Sequence, residues 1–342
     1  VGSEFLDGLS KSFEAEFDYK KEAAFLMRCR KNMEVFKKDV YLPEAVDGLC
    51  TKKVLTMELM EGEPIKKKLE KLMVAWAASN NQTVAEMKEQ LKKDMSDPVK
   101  LEELMKHKGP GENAMRALIW AATAKDWLVN GARVLSNVTL GRVGLARERQ
   151  VEWASADLVN GPAVIKLLAD VHAHQIFVDG VYNTDPHAGN VIAMSDGRLG
   201  LIDYGGAAEL GNKERGALAR LLLAIAGRDE GATIRSMNEL GFRTENNDRQ
   251  YMLSYAYICF HKGYADMEAF YSLGVPRTVG VSDLELYLNG RDKLLECPAH
   301  LAQVQRCVMV LLGLSAEMGA QGLSIAELWK GHAERYLRDK EE

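Results

Sequence analysis

Apolar residues recur at helical spacing over residues 9 to 37, where Leu9, Phe13, Phe17, Ala24, Met27 and Val35 fall near one face and charges fill the rest. A long amphipathic helix is predicted there. Two short runs, Ala45 to Leu49 and Lys53 to Glu58, read as strands joined by Cys50-Thr51-Lys52, and the second continues to Gly62. From Lys66 to about Lys106 the chain is rich in lysine and glutamate with a helical period, broken at Ser79-Asn80-Asn81. Gly109-Pro110-Gly111-Glu112-Asn113 is the strongest linker signal, because Pro and Gly both defeat helix continuation. The next helical run, Ala114 to about Leu135, is more apolar and carries Trp120 and Trp127. Its Leu118, Ile119, Ala122 and Leu128 suit a core by default, with a partner or a membrane surface as alternatives, and the basic run Arg142 to Arg149 keeps the membrane option open.

Asn160-Gly161-Pro162 opens a further helix with Pro in its first turn, and the stripe Val164, Ile165, Leu168, Val171 and Ile176 predicts a buried face. It leads into the stretch Tyr182 to Gly206. There, Val191 to Ala193 and Leu199 to Ile202 alternate as strands around the turn Ser195-Asp196-Gly197, a hairpin that returns Asn190 to the side of Asp203. Residues 212 to 341 read as nearly all helical, with breaks at Gly227, Gly241, Gly274-Val275-Pro276 and Pro298.

Composition narrows the class. The 342 residues are 47% hydrophobic and 27% charged, which excludes a disordered chain, and the length suggests two folding units. No window approaches the roughly 18 consecutive apolar residues of a membrane span. A net charge of -5 gives no general attraction to nucleic acid, so none is expected as a partner. The five cysteines, Cys29, Cys50, Cys259, Cys297 and Cys307, form no C-x-x-C pair and read as reduced core filler. The start, Val1-Gly2-Ser3-Glu4-Phe5, is neither cationic nor apolar, so no targeting peptide is expected in it, and the missing Met suggests a trimmed chain.

Candidate chemistry gathers in Tyr182 to Gly206. Asp185 and Asn190 stand five apart, in the D-x-x-x-x-N spacing of a kinase catalytic loop, and Asp203-Tyr204-Gly205 follows where kinases carry Asp-Phe-Gly. Transfer or hydrolysis of a phosphoryl group concentrates negative charge and asks mainly for geometry and electrostatics. Asp203 suits a metal held across phosphates, Asn190 completes its coordination, and Asp185 orients the attacking hydroxyl or water and accepts its proton. Gly189, Gly205 and Gly206 permit close backbone approach. D-P-H-A-G-N alone is equally a plain polar loop. The acidic residues of Glu16-Phe17-Asp18-Tyr19-Lys20-Lys21-Glu22-Ala23 read, by pattern alone, as a solvated helix face. His172 and His174, two apart, fall on different helix faces, so no metal site is expected there.

Taken together, E-F-D-Y-K-K-E-A, Y-L-P-E-A-V, V-L-T-M-E-L-M-E-G, D-P-H-A-G-N and L-I-D-Y-G closely resemble the UbiB/AarF-domain (ADCK) family of atypical protein-kinase-like proteins. The likeness runs from about Glu16 to Gly206, with an unmatched insertion over roughly 66 to 135. By that resemblance Glu16 and Asp18 fall on the E-x-D motif, and Glu22 on the helix-C glutamate that pairs with a nucleotide-binding lysine. Asp185 falls on the catalytic aspartate, and Asn190 and Asp203 on the metal ligands. Met57 would then back the adenine pocket, with the Glu58 carbonyl and the Met60 amide facing the base. The family's K-x-G-Q motif, alanine-rich loop and strand lysine lie upstream of E-F-D-Y, and fifteen residues precede Glu16 here. The family's H-x-D-P reads Asn183-Thr184-Asp185-Pro186, and no A-P-E motif follows Gly206.

The fold expected is α+β and protein-kinase-like, with an incomplete small lobe and a large, mostly helical C-lobe. Residues 1-62 would form the partial N-lobe with helix C and the hinge strands, 63-150 a helical insertion and linker, and 151-342 the C-lobe. The resemblance implies ATP and Mg²⁺ as cofactors and an ATPase or small-molecule kinase activity. It also implies support of prenyl-quinone (coenzyme Q) or related lipid metabolism at an organellar membrane, with a mitochondrion favoured over a plastid. A prenyl lipid or quinone precursor is the implied small partner, and residues 66-135 offer a docking or peripheral membrane surface. The alternative is a catalytically weak pseudokinase serving as a structural or scaffolding subunit of an organellar complex.

Overall fold

The computed structural model describes residues 18–106, 109–141, 150–320 and 322–341. Glu16, the helix-face residues Leu9, Phe13 and Phe17, and the whole basic run 142–149 lie outside the described residues.

The first helix, α1 (Tyr19–Asn32), starts where the Asp18 carboxylate accepts the Lys20 N–H, and a 3₁₀ turn follows over Met33–Phe36. Its inward side is Glu22, Leu26, Cys29 and, just past its end, Met33; of the predicted face within the described residues, Met27 is half-buried, but Ala24 points outward and Val35 is 70% exposed. The physical reason is Glu22. Its carboxylate faces the site described below, which turns that side of the helix inward. Strand β1 (Val40–Tyr41) comes next. The two strands expected over 45–58 reduce to one antiparallel bridge, Ala45 to Met57, with Val46 N–H donating to Thr56 O at 2.8 Å. Side chains hold that loop instead: the Glu58 carboxylate accepts from the Tyr41 hydroxyl at 2.7 Å, the Glu44 N–H at 2.9 Å and Arg30 at 3.2 Å. These bonds, Tyr41 first, hold the Glu58 carboxyl below its usual range.

Strand β2 (Gly62–Pro64) leads into four helices, α2 (Ile65–Ser79), α3 (Val84–Ser96), α4 (Pro98–Lys106) and α5 (Glu112–Ser136). Thr83 and Glu86 form a capping box at the start of α3, where each side chain takes up an otherwise unpaired backbone N–H. The core role expected by default for the apolar residues of α5 is corrected by the structure. Leu118 and Leu128 are 56% and 77% exposed, as are Trp120 and Trp127 at 74% and 66%, whereas Ile119 and Ala122 are half-buried. The inward side of α5 is polar where it meets the next segment: Asp126 accepts the Ser155 N–H at 2.7 Å, and buried Asn130 donates to Glu152 O at 2.7 Å.

Helix α6 (Gly161–His174) is capped by the Asn160 side chain, which accepts the Ala163 N–H. Its stripe is buried as the sequence predicts, with Ile165, Leu168, Val171 and Ile176 at most 1% exposed. The chain then leaves through Gly180 at φ +70°, a left-handed position that favours glycine, into β3 (Val181–Asn183). The predicted hairpin is β4 (Val191–Met194) and β5 (Leu199–Leu201), antiparallel with Ile192 opposite Gly200. The four-stranded sheet runs β1-β5-β4-β2, and β1 is parallel to β5. Strand β6 (Ala207–Glu209) pairs back with β3.

The remainder is α7 (Asn212–Ala226), α8 (Glu230–Glu239), α9 (Arg249–Phe260), α10 (Met267–Ser272), α11 (Leu284–Asn289), α12 (Ala299–Glu317) and α13 (Ile325–Glu341). Every break predicted from Gly or Pro falls between two of these. The small two-stranded antiparallel sheet of β7 (Arg243–Thr244) with β8 (Leu294–Glu296) was not foreseen, its strands being too short for any alternation to show. Fully buried Trp329 on α13 packs against α6 and donates to Ala169 O at 2.8 Å, which ties the chain's last helix to the one that leads into the site. Among the described residues α12 alone is long and apolar enough to cross a membrane by length and composition, yet Leu301, Val304, Cys307, Val308 and Leu311 are buried inside this helical core. Cys29 and Cys259 are buried thiols pushed up to about 12 by desolvation, as core filler should be.

Asp292, 2% exposed, accepts the N–H groups of Asn246 at 2.9 Å, Asp248 at 2.7 Å and Lys293 at 2.8 Å. Burial pushes its carboxyl up, but these donors outweigh burial and hold it at about 2. A carboxyl whose folded value is depressed gives stability that is complete above its unfolded value, about 4, and is lost as pH falls through the folded value. Asp292→Asn is therefore expected to cost about 1–3 kcal/mol at neutral pH. In urea unfolding the gap from wild type should close between about pH 4 and about pH 2; a gap that stays constant would contradict the assignment.

Candidate functional site

The β4–β5 hairpin is what assembles the site. Asn190 precedes β4 and Asp203 follows β5, and the ladder extends one step past the strands, with Ile202 N–H donating to Asn190 O at 3.2 Å. That places the Asn190 amide against the Asp203 carboxylate: Nδ2 donates to Oδ2 at 2.9 Å. The other carboxylate oxygen of Asp203, Oδ1, accepts the Gly205 N–H at 2.9 Å. Asp185 sits at the far end of the same loop, which turns tightly through His187 N–H to Asp185 O and Asn190 N–H to His187 O, both 2.9 Å. The Asn190 amide also approaches Asp185 O at 3.5 Å.

Asn183 joins the two acidic segments. Its Nδ2 donates to Asp203 O at 2.7 Å, and its Oδ1 accepts the Asp185 N–H at 2.8 Å. An amide suits this position because it donates to one segment and accepts from the other at every pH, with no proton to lose. Behind it, Gln175 accepts the Asn183 N–H at 3.2 Å and donates to the Tyr204 hydroxyl at 3.1 Å. Tyr204 is fully buried, so its hydroxyl requires such a partner, and Gln175 gives a physical reason for a tyrosine between Asp203 and Gly205. Thr184 clasps the other side, its Oγ1 donating to Gly206 O at 2.5 Å.

Glu22 reaches this turn from α1. Burial and the neighbouring Asp203 charge push its carboxyl above the usual range, against a hydrogen bond from the Tyr204 backbone. Gly205 lies between the two acids: a Cβ there would stand 3.2 Å from Glu22 Oε2 and 3.3 Å from Asp203 Oδ1. A side chain at 205 would ask each to give by a few tenths of an ångström. Among the described residues no lysine is paired with Glu22. A 380 Å³ cavity opens beside this turn, lined by Asp18, Lys21, Glu22, Thr184, Gly206 and Arg306 among others.

Asp18, Glu22, Asp185, Asn190 and Asp203 are thus brought to one place. Glu16 lies outside the described residues. Met57, Glu58 and Met60 lie on the sheet side and do not line the cavity. Met60 is buried with its methyl group against Gly200 of β5, Met57 packs on the core, and the Glu58 side chain is held in the loop network of Tyr41 and Arg30. Sequence reasoning missed Gln175, Thr184 and Arg306. Nothing local marks the first two, and Arg306 is 121 residues from its partner Asp185, inside a helix that reads as ordinary core.

Chemically, Asn190 Oδ1 and the Asp203 carboxylate are hard oxygen donors of the type that suits magnesium, and here it is the N–H side of the Asn190 amide that faces Asp203, so the amide would turn its oxygen to a bound metal. Asp185 keeps one-third of its side chain accessible, as a group that meets a substrate must.

The sequence pattern of the ABC1 atypical kinase-like domain matches residues 3–96 and 144–237. Among curated proteins, the uncharacterized protein slr0889 of Synechocystis is 41% identical over 66 residues, covering 19% of this chain and 16% of that protein. Protein ACTIVITY OF BC1 COMPLEX KINASE 1, chloroplastic, of Arabidopsis thaliana is 28% identical over 118 residues, covering 34% of this chain and 17% of that protein. The matches therefore span less than a fifth of those relatives' length. Among solved structures, the erythromycin complex of Rv3197 from Mycobacterium tuberculosis superposes with a TM-score of 0.50 at 16% identity, over 96% of this chain and 61% of that one, a likeness of fold. The matched pattern spans more than half of the 342 residues, and the chain belongs to the ABC1/UbiB family of atypical kinase-like proteins.

Proposed function

We propose that this chain carries the magnesium and catalytic-loop side of an atypical kinase or ATPase that binds Mg-ATP, with Asn190 and Asp203 as metal ligands and Asp185 as the base. The observation that carries this reading is the 2.9 Å contact between Asn190 and Asp203, held by a hairpin that also fixes Asp185 at the other end of one short loop. Bound magnesium would neutralise phosphate charge at that pair. Asp185 would orient the attacking oxygen and receive its proton, and Glu22 and Gly205 would shape the wall beside the metal.

The acceptor is small, lipid-like, or water. Gly206 is followed at once by β6, which pairs with β3, and α7 starts at Asn212, so among the described residues no long segment follows the glycine turn to seat a protein substrate. A 910 Å³ apolar groove between α2, α3 and α5, lined by Leu69, Met73, Trp76, Leu91 and Met115, favours lipid handling. With the family, these features support a role in prenyl-quinone or related lipid metabolism at an organellar membrane. A chloroplastic relative and a cyanobacterial one make a plastid as good a setting as a mitochondrion. One observation favours the scaffold alternative: the exposed apolar face of α5, with Leu118, Trp120, Trp127 and Leu128, has the character of a docking surface.

Thermal unfolding with ATP and Mg²⁺ separates the two. Wild type is expected to melt several degrees higher when both are present, and Asp203→Asn to lose that shift; a wild type indifferent to Mg-ATP belongs to the scaffold reading. Asp185→Asn is expected to keep the shift and to lower ATP hydrolysis by about 10²-fold or more. Hydrolysis that survives this substitution unchanged would remove Asp185 from the role of base.

A further inference from the structure

Arg306 enters the site from α12 and donates from Nη2 to Asp185 Oδ2 at 2.8 Å. The pair is open to solvent, with 52% of the Arg306 side chain and 31% of Asp185 exposed, and a solvent-screened ion pair of that kind contributes little to folding. Helix α12 is held by its buried neighbours Val304, Cys307 and Val308, so the fold does not need the arginine. A guanidinium has five N–H donors in a planar fork, and its bond to Asp185 uses one.

The surroundings say what the remaining donors are suited to. Phosphoryl chemistry needs fixed positive charge beside the phosphate. The loop from Asp185 to Asn190 contains no lysine or arginine, and the His187 ring is engaged through Nδ1 with the Gly189 N–H at 3.0 Å. Among the described residues Glu22 brings no lysine with it. Lys21 and Arg306 are the cations that line the 380 Å³ cavity, facing the glycine turn Gly205-Gly206 and the Glu22 wall.

We propose that Arg306 is a phosphate-positioning residue, which braces Asp185 with one edge of its guanidinium and, together with Lys21, receives the terminal phosphoryl group of a nucleoside triphosphate. The inference rests on the Mg-ATP reading and adds to it the source of the cationic charge. Arginine reads a phosphate as a two-pronged donor, so the site distinguishes a triphosphate from a diphosphate.

The test is calorimetric titration of the full chain, wild type, Arg306→Gln and Arg306→Lys, with Mg-ATP, with Mg-ADP, and with inorganic phosphate added to the Mg-ADP complex. Wild type is expected to prefer Mg-ATP over Mg-ADP. Arg306→Gln should weaken Mg-ATP binding about tenfold, the size of one charge-assisted contact, while leaving Mg-ADP within about twofold. Arg306→Lys should recover part of the preference, which a purely structural role would not produce, and it serves as the reading if the glutamine variant fails to fold. An Arg306→Gln protein with unchanged or tighter Mg-ATP binding overturns the proposal, the tighter case marking Arg306 as a latch on Asp185. Phosphate binding to the Mg-ADP complex that depends on Arg306 while Mg-ATP binding does not would also overturn it, since the site would then take a separate phosphate. If wild type binds Mg-ATP in an Asp203-dependent way and Arg306→Gln changes nothing, this inference alone falls. If wild type binds neither nucleotide, the Mg-ATP reading falls with it.

Discussion

The site depends on the antiparallel pairing of β4 with β5. Strand pairing fixes which residues stand opposite one another, and a slip of one residue sends every side chain to the other face. With Ile192 opposite Gly200, Asn190 and Asp203 leave the hairpin on the same side, close enough for an amide to hold a carboxylate. The hairpin is in turn clamped between β1 and β2, so its register is set by strands that come from far earlier in the chain. An error there would leave the right residues present and the site missing.

A second constraint is electrostatic. Glu22 and Asp203 bring two acids to a glycine turn that offers backbone donors to both, from Tyr204 to Glu22 and from Gly205 to Asp203. Like charges so placed cost free energy until a cation joins them. The fold carries that cost because the Asn183 and Gln175 network locks the turn from behind: each amide donates in one direction and accepts in the other, so neither segment can move alone. Networks in which every member is satisfied rigidify a site in this way.

Much of this was legible in the residues. The D-x-x-x-x-N spacing, the hairpin and D-Y-G are local signals, and local signals survive without knowledge of the fold. So do the helix breaks at Gly227, Gly241 and Pro298, since glycine and proline act on their own backbone. What failed was whatever depended on a partner. The face of α1 was misassigned because Glu22 is charged and buried, which a count of apolar positions cannot anticipate. Leu118 and Leu128 of α5 were assigned to a core by default on hydrophobicity, yet Asp126 and Asn130 make polar contacts with the protein. Arg306 was invisible for the plainest reason: it meets Asp185 only after 121 residues of intervening chain have folded.

The distribution of indoles has a consequence for observing this protein. Trp329 is wholly enclosed, whereas Trp76, Trp120, Trp127 and Trp153 are 55%, 74%, 66% and 40% exposed, with Trp127 and Trp153 meeting edge to face at 5.0 Å. All four accessible indoles belong to the α2–α5 helices or the segment that follows them, and the enclosed one reports on the helical core. Intrinsic fluorescence is therefore divided by region: a quencher in water reads the surface set while the blue-shifted core emission stays constant, and anything that covers α5 changes the first without the second.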